Sequence, residues 1–298
     1  MVDLSELQSH REVFVSDFKP RTAPFASNLE GAINFFKDKI IFMGFHGSQG
    51  ENGQVQELFE KHRICFTGSG SKASHLAFEK NLGKEVMSNT DAKMAVEMKL
   101  PVSKINELVP KLEQFLQRHK RIVLKPTSSG SSFGLHIVEN AAALHDAVEK
   151  IKTSGFEMYL AENFIRGREL TVGVVQTKNE LIALPPSEVV VNEGRAFDYE
   201  GKYLGAGTKE ITPAQLTEEE TQAAQKLAVD AHIAFGCFGY SRTDMILAEE
   251  GPYFLETNTL PGLSKPSFIP QQLLAADITV KSFIEDQLWL AEHRYEDN

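Results

Sequence analysis

The sequence predicts a protein of mixed α/β and α+β architecture, with several domains meeting around glycine-rich loops. Two patterns carry this expectation. Short apolar runs ending in Gly and Ser loops alternate with stretches of helical periodicity, an order that displays polar groups at strand ends. Nearer the C-terminus, two runs of strand character flank a tight turn, the pattern of a hairpin. With 298 residues, 42% hydrophobic and 24% charged, the chain is neither disordered nor collagen-like and is long enough for about two or three domains.

KIIFMGF (Lys39 to Phe45) reads as a buried strand delivering the loop HGSQGENG. RICFTGSGSKASHLAFEKNLGKEV repeats the idea with a short strand, a Gly-Ser loop and a helix carrying Ala73, Leu76, Ala77, Leu82 and Val86. KINELVPKLEQFLQRHKR has helical spacing and is expected to start or kink at Pro110. RIVLKP (Arg121 to Pro126) is a strand, TSSGSSFG (Thr127 to Gly134) a glycine and hydroxyl loop, and GLHIVEN a further strand. AALHDAVEKIKTSG is an amphipathic helix stopped by Gly155. EMYLAENFIRGRELTVGVV gives two strands joined around Gly167, and TEEETQAAQKLAVDAHIAFG a helix capped by Thr217. YSRTDMILAEEGPYFLETN is a hairpin turning at Glu249 to Pro252.

The 41 acidic residues against 31 Lys and Arg give a formal net charge of -10, which argues against nucleic-acid binding while allowing a local cationic pocket. Cys65 and Cys237 make neither a disulfide framework nor a structural zinc set. The first twenty residues lack the apolar core of a signal peptide, and no stretch has the apolar length of a membrane span, so a cytoplasmic protein is expected.

The hairpin is the most informative segment. Glu256 and Asn258 are two apart on a strand and share a face, with Asp244 about opposite on the partner strand. Three hard oxygen donors suit magnesium, which completes its shell with phosphates and water. Arg242, two residues before Asp244, faces the same site and could stabilise a transferring phosphoryl group or an acyl phosphate. A surface hairpin with solvated charges fits the same residues. In KPTSSGSSFG, Lys125 ends a strand ahead of Gly130 and Gly134, whose backbone can approach a polyanion. No Walker A motif occurs, and a Gly-Ser loop alone is more often an ordinary turn.

Two motif matches lead elsewhere. Gly130, Ser132 and Gly134 fit the nucleophile elbow G-x-S-x-G, but Pro126 and polar residues separate the strand from the Ser and no helix follows. Gly68, Gly70 and Ala73, with Asp91 downstream, fit a dinucleotide fingerprint that is weak without a longer parallel sheet.

The blocks HGSQGENGQVQELFE, TGSGSKASHLAFEK, VLKPTSSGSSFG, AENFIRGRELTV, FDYEGKY, GYSRTDMIL and FLETNTLPGLSKPSFIP, in that order, resemble the D-alanine:D-alanine ligases of the ATP-grasp superfamily. The resemblance covers nearly everything from Lys39 onward and implies an ATP-grasp fold with a truncated Rossmann-like N-terminal domain. The implied divisions are 1–68 for that domain, 69–166 for the central ATP-grasp domain and 167–298 for the C-terminal one. It implies that Lys80 and Lys125 hold ATP phosphates, with Ser131 and its loop closing over them, and that Lys202 reaches the γ-phosphate. Glu162 and the backbone of Asn163, Phe164 and Ile165 would contact adenine as a hinge, and Glu169 would hold the ribose. Asp244, Glu256 and Asn258 would bind Mg2+, with Mn2+ as the alternative ion. Arg242 and the Gly262 amide would stabilise the acyl phosphate and tetrahedral intermediate. Ser267 would hold the carboxylate of the second amino acid and His46 would sit beside the first. Tyr203, with Ser131, would close the lid and favour an amino-acid acceptor.

The implied activity is a two-step, ATP-dependent ligation of two small amino acids through an acyl phosphate, by default D-alanine to D-alanine for peptidoglycan precursors of the cell wall. The implied partners are small-molecule amino acids and ATP, with no nucleic acid or membrane, and a homodimer is allowed. The family opens with a strand, a Gly-rich turn and a helix, and a Glu in that turn binds the first ammonium. LSELQSHREVFVSDF reads as the end of that helix and the next strand, leaving the opening short by roughly twenty residues at average element lengths. Aligning SHREV instead would put His10 where that Glu belongs, and Ser128-Ser129 departs from the charged residues usual between KP and GSS. Three readings follow: a D-alanine ligase, a related ligase with a different first substrate, and an ATP-binding homologue without turnover.

Overall fold

The computed structural model describes residues 26, 28–44, 48–128, 133–191 and 208–296. In chain order, the first layer comprises α1 (Ile33–Phe36), β1 (Ile40–Ile41), α2 (Ser48–Glu51), α3 (Gln54–Lys61) and β2 (Cys65–Phe66). β1 and β2 pair in parallel, Ile40 opposite Cys65. The apolar runs around them therefore contribute two residues of ladder each among the described residues. The neighbouring apolar side chains pack instead into a core of Ile33, Met43, Phe59, Ile64, Phe66 and Leu260.

Next come α4 (Ser71–Phe78), α5 (Lys80–Met87), β3 (Lys93–Met94), β4 (Glu97–Pro101), α6 (Ile105–His119), β5 (Ile122–Pro126), β6 (His136–Val138), α7 (Ala141–Lys152) and β7 (Met158–Asn163). A four-stranded antiparallel sheet runs in the order β4-β7-β5-β6. α6 and α7 cover one face through Leu112, Leu116, Leu144, Val148 and Ile151. Pro110 does not start α6 but sits inside it. An interior proline costs about 3 kcal/mol, whereas burying Ile105, Leu112 and Leu116 is worth roughly 1.5–3 kcal/mol each. Packing wins. α7 opens with the Asn140 side chain accepting from the Ala143 N–H and is followed by Gly155 at φ +80.

The remainder comprises β8 (Arg168–Gln176), β9 (Leu181–Ala183), β10 (Ser187–Val191), β11 (Thr208–Ile211), α8 (Glu218–Phe235), β12 (Tyr240–Ala248), β13 (Gly251–Asn258), α9 (Phe268–Ala275) and α10 (Val280–Glu292). A seven-stranded sheet has the order β11-β10-β8-β12-β13-β3, with β9 pairing β8. α8 carries the expected cap as a full capping box between Thr217 and Glu220, and ends at Gly236 in the left-handed conformation. Leu170, Vals 172 and 174, Met245 and Leu247 face α8, α4 and α5 in one core. The alternate residues of β8 and β12 therefore face the opposite side. There, Val175 and Tyr240 pack against α9 and α10, and the polar positions line the cleft described next. No described helix is long and apolar enough to cross a membrane.

Candidate active site

A cleft of about 770 Å³ lies between the two larger sheets, lined from Lys80 and Lys125 through Glu162, Phe164 and Glu169 to Asp244 and Glu256. The sheets are joined by the connection between β7 and β8. Gly167 sits in it where a Cβ would lie 2.3 Å from the Leu247 carbonyl oxygen. Only glycine lets the connection rest on β12 at that distance.

Lys80 is the first residue of α5 and Lys125 lies near the end of β5. A backbone bond from the Lys80 N–H to the Thr127 carbonyl, 2.9 Å, fixes these two elements together. Lys80 Nζ is 2.9 Å from Glu256 Oε2 across the cleft. Lys125 Nζ is 2.9 Å from Glu162 Oε2, and Lys84 Nζ is 2.6 Å from Glu162 Oε1. Burial would raise the Glu162 carboxyl, but the charges of Lys125 and Lys84 outweigh it and hold the group below the usual range. Both oxygens of the carboxylate thus point at ammonium groups.

The hairpin places Asp244 opposite Glu256 and Arg242 opposite Asn258, across a β-bulge. Counting outward from the turn, Met245 pairs with Phe254, so an unbulged ladder would set Leu255 against Asp244 and turn Glu256 toward the hydrophobic core. Leu255 is the extra residue. It lets Phe254 lie in the core at 2% exposure while Glu256, of the same parity, faces the cleft. Arg242 donates two hydrogen bonds to Asp244, Nε to Oδ1 at 2.9 Å and Nη2 to Oδ2 at 2.8 Å. The buried Thr171 hydroxyl donates to Asp244 Oδ1 at 2.5 Å, and Asn258 Oδ1 accepts from the Leu260 N–H at 2.8 Å. Two carboxylates and an amide oxygen, carried on one hairpin and held by neighbours from the hairpin, β8 and α5, form a hard-oxygen donor set that fits a magnesium-type ion.

At the hinge, the Asn163 side chain accepts from the Val96 N–H and the Phe164 N–H bonds to the Arg121 carbonyl. The Asn163 N–H is also bonded within the protein, to Val96. The Phe164 ring lies under the Arg121 guanidinium, 3.9 Å from its centroid. Val123, Leu135, Ile137, Phe164, Ile165, Val190, Ile246 and Leu255 make this end of the cleft apolar, and Glu169 lines it from β8. Arg168 is held by Glu188 in a bidentate pair at 2.8 and 2.7 Å.

Gly262 follows β13, and Ser267 precedes α9 with its hydroxyl 2.8 Å from that of Ser264. Phe268 reaches the Arg242 guanidinium at 5.7 Å, which brings the start of α9 to the hairpin. His46, Ser131, Lys202 and Tyr203 lie outside the described residues. The structure adds Thr171, Arg121 and Lys84 to the residues singled out from sequence. Lys84 had a visible signal: it follows Lys80 by four residues on a helix, yet shares the buried face with Gly83 and Met87.

The family model described as the D-ala D-ala ligase C-terminus matches residues 87–288. A D-alanine–D-alanine ligase of Leptospira interrogans is 35% identical over 291 residues, covering 94% of this chain and 80% of its own. One from Syntrophobacter fumaroxidans is 37% identical over 260 residues, covering 86% and 81%. Among solved structures, the VanG D-Ala:D-Ser ligase of Enterococcus faecalis superposes with a TM-score of 0.75 at 27% identity, covering 85% of this chain and 72% of that one. The Bacillus anthracis D-alanine–D-alanine ligase complexed with ATP gives 0.74 at 26% identity, covering 90% and 84%. With its two-sheet cleft, paired lysines and carboxylate hairpin, the chain belongs to the D-alanine–D-alanine ligase family, on the ATP-grasp fold.

Proposed function

We propose that the protein joins two D-alanine molecules with ATP, supplying the dipeptide used in peptidoglycan precursors. The observation that carries this reading is the continuous wall on which Lys80, Lys125, Asp244 and Glu256 line one cleft between two sheets. Cations for phosphates and oxygen donors for a metal thereby meet at one end, and an apolar slot of adenine character lies at the other.

The nucleotide base lies in the apolar slot against Phe164 and Ile165, with the ribose at Glu169. Lys80 and Lys125 neutralise the phosphates. A Mg2+ ion, held by Asp244, Glu256 and Asn258, supplies charge neutralisation of the phosphates when bound. The carboxylate of the first D-alanine attacks the γ-phosphorus, the bond to the bridging oxygen breaks, and ADP leaves. The deprotonated amine of the second attacks the acyl carbon, the carbon–oxygen bond to phosphate breaks, and inorganic phosphate departs with the proton that the nitrogen sheds. Arg242, held planar against Asp244, faces the oxygen charge that develops in both steps. Ser267, at the start of α9, holds the second carboxylate.

ADP and phosphate release is measured across a panel of D- and L-amino acids, with the product identified by mass. D-alanine dipeptide is the expected product. A different obligatory first amino acid replaces D-alanine in the reading, and ATP binding without amino-acid-dependent turnover sinks the ligase assignment.

A further inference from the structure

Behind the phosphate end of the cleft stands a third lysine, which does not line it. Lys84 lies one helical turn after Lys80 on α5, with a side chain 6% exposed. Its ammonium is 2.6 Å from Glu162 Oε1 and 3.1 Å from Glu97 Oε2, and it donates to the Ala95 carbonyl at 3.2 Å. Glu162 turns its other oxygen to Lys125 at 2.9 Å. Glu97, Lys84, Glu162 and Lys125 therefore alternate in sign from the edge strand β4 to the cleft.

The order of charges matters because a buried carboxylate facing one lysine forms a neutral pair with little field left for a ligand. Glu162 faces two. Glu97 brings the row to zero net charge from its far end, at the edge strand, while Lys125 and Glu162 are the members at the cleft wall, so the positive end of the row faces the cleft. Burying an ammonium costs several kcal/mol unless its partners repay it, and an apolar residue would pack this face of α5 without that cost. A brace alone would explain contact among α5, β4 and β7, but not a row of alternating charges whose positive end is the one at the cleft.

We infer that Lys84 is a positioning residue for the nucleotide: through Glu162 it holds the Lys125 ammonium at the cleft with its charge available to a polyphosphate. The inference rests on the ligase reading, because it takes ATP as the ligand.

Equilibrium binding of ATP and of adenosine to the full chain tests it. Lys84→Met is expected to weaken ATP by about tenfold or more, the scale of one hydrogen bond to a charged group, while adenosine stays within about twofold. Lys84→Arg is expected to recover most of the ATP affinity. Glu97→Gln has the opposite sign: Lys84 then gives its whole charge to Glu162, and ATP binds more tightly. Equal weakening of ATP and adenosine by Lys84→Met makes Lys84 a brace and overturns the inference. Should Lys84→Met fail to fold, Glu97→Gln decides alone, and unchanged or weaker ATP binding in it overturns the inference. A parent chain that binds ATP no better than adenosine removes the ligase reading and this inference together; a parent that discriminates, with a Lys84→Met variant that discriminates as well, removes the positioning role only.

Discussion

Lys80 and Glu256 meet across the cleft with 2.9 Å between Nζ and Oε2, tying the start of α5 to the last strand of the hairpin. Each has another role in the proposed reaction, Lys80 toward phosphate and Glu256 toward a metal ion, so nucleotide binding exchanges this pair for two others. Glu256→Gln is expected to lower phosphate release by about 10²-fold or more, since several kcal/mol of charge stabilisation pass through the metal set. Its thermal midpoint should hardly move, because partly exposed ion pairs are worth about 0–1 kcal/mol. Full turnover in this variant would falsify the metal assignment. Chelation should stop turnover of the parent, and Mg2+ or Mn2+ should restore it.

Arg242 presents two nitrogens to the two oxygens of Asp244. Lysine cannot reproduce that fork. Arg242→Lys should therefore lose about 10²–10³-fold in kcat, the usual range for one oxyanion donor, with the ATP KM little changed. A drop confined to the ATP KM would place Arg242 in nucleotide binding instead.

Thr171 is buried, and its hydroxyl holds Asp244 Oδ1. Thr171→Val keeps the shape and removes that bond. Because groups behind a metal ligand commonly set metal affinity by about 10–100-fold, the Mg2+ concentration for half-maximal activity should rise by about tenfold. An unchanged Mg2+ dependence would show that Arg242 alone orients the carboxylate.

Gln272 is fully buried and stitches α9 to the sheet: Oε1 accepts from the Gly173 N–H, and Nε2 donates to the Thr171 carbonyl and the Ser187 hydroxyl. Gln272→Leu strands the Gly173 N–H and should cost about 1–3 kcal/mol in chemical denaturation. A neutral result would require a water to take the place of Oε1.

His232 is buried in α8, bonded through Nδ1 to the Ser241 hydroxyl at 2.8 Å, and burial lowers its pKa to about 4. The unfolded chain takes up this proton near its ordinary value of about 6.5. Between those values the unfolded state holds one proton more, so stability falls with decreasing pH, by about 1.4 kcal/mol per unit from this group. Above pH 6.5 the contribution is complete. Denaturation midpoints from pH 7 to 4 should show the slope, and His232→Asn should reduce it by one proton. Identical slopes in both proteins would mean that His232 is protonated in the folded state.

Much of the fold is legible in the residues because its signals are local. The Thr217 cap, the Gly155 stop, the strand RIVLKP and the hairpin turn expected at Glu249 to Pro252, which the structure closes earlier by pairing Ala248 with Gly251, each follow from side-chain chemistry within a few positions. The two-residue strands β1 and β2 depart from local expectation where pairing decides, and Pro110 lies inside α6 rather than at its start. Asp244, Glu256, Arg242 and Lys125 were identifiable as residue types suited to phosphate and metal, and Lys80 through the family resemblance.

Their arrangement was not determined locally. Periodicity states that Glu256 and Asn258 share a face, yet which face depends on the bulge at Leu255, and that bulge exists because Phe254 must reach the core while Glu256 must reach the cleft. Likewise the spacing of Lys80 and Lys84 predicts neighbours on a helix, while only the packing of α5 against β4 and β7 turns one toward Glu256 and the other toward Glu162. The sequence by itself determined the elements and the chemistry they carry. The tertiary structure decided the register and the charge partners, because both depend on surfaces that several separate segments of the chain bring together.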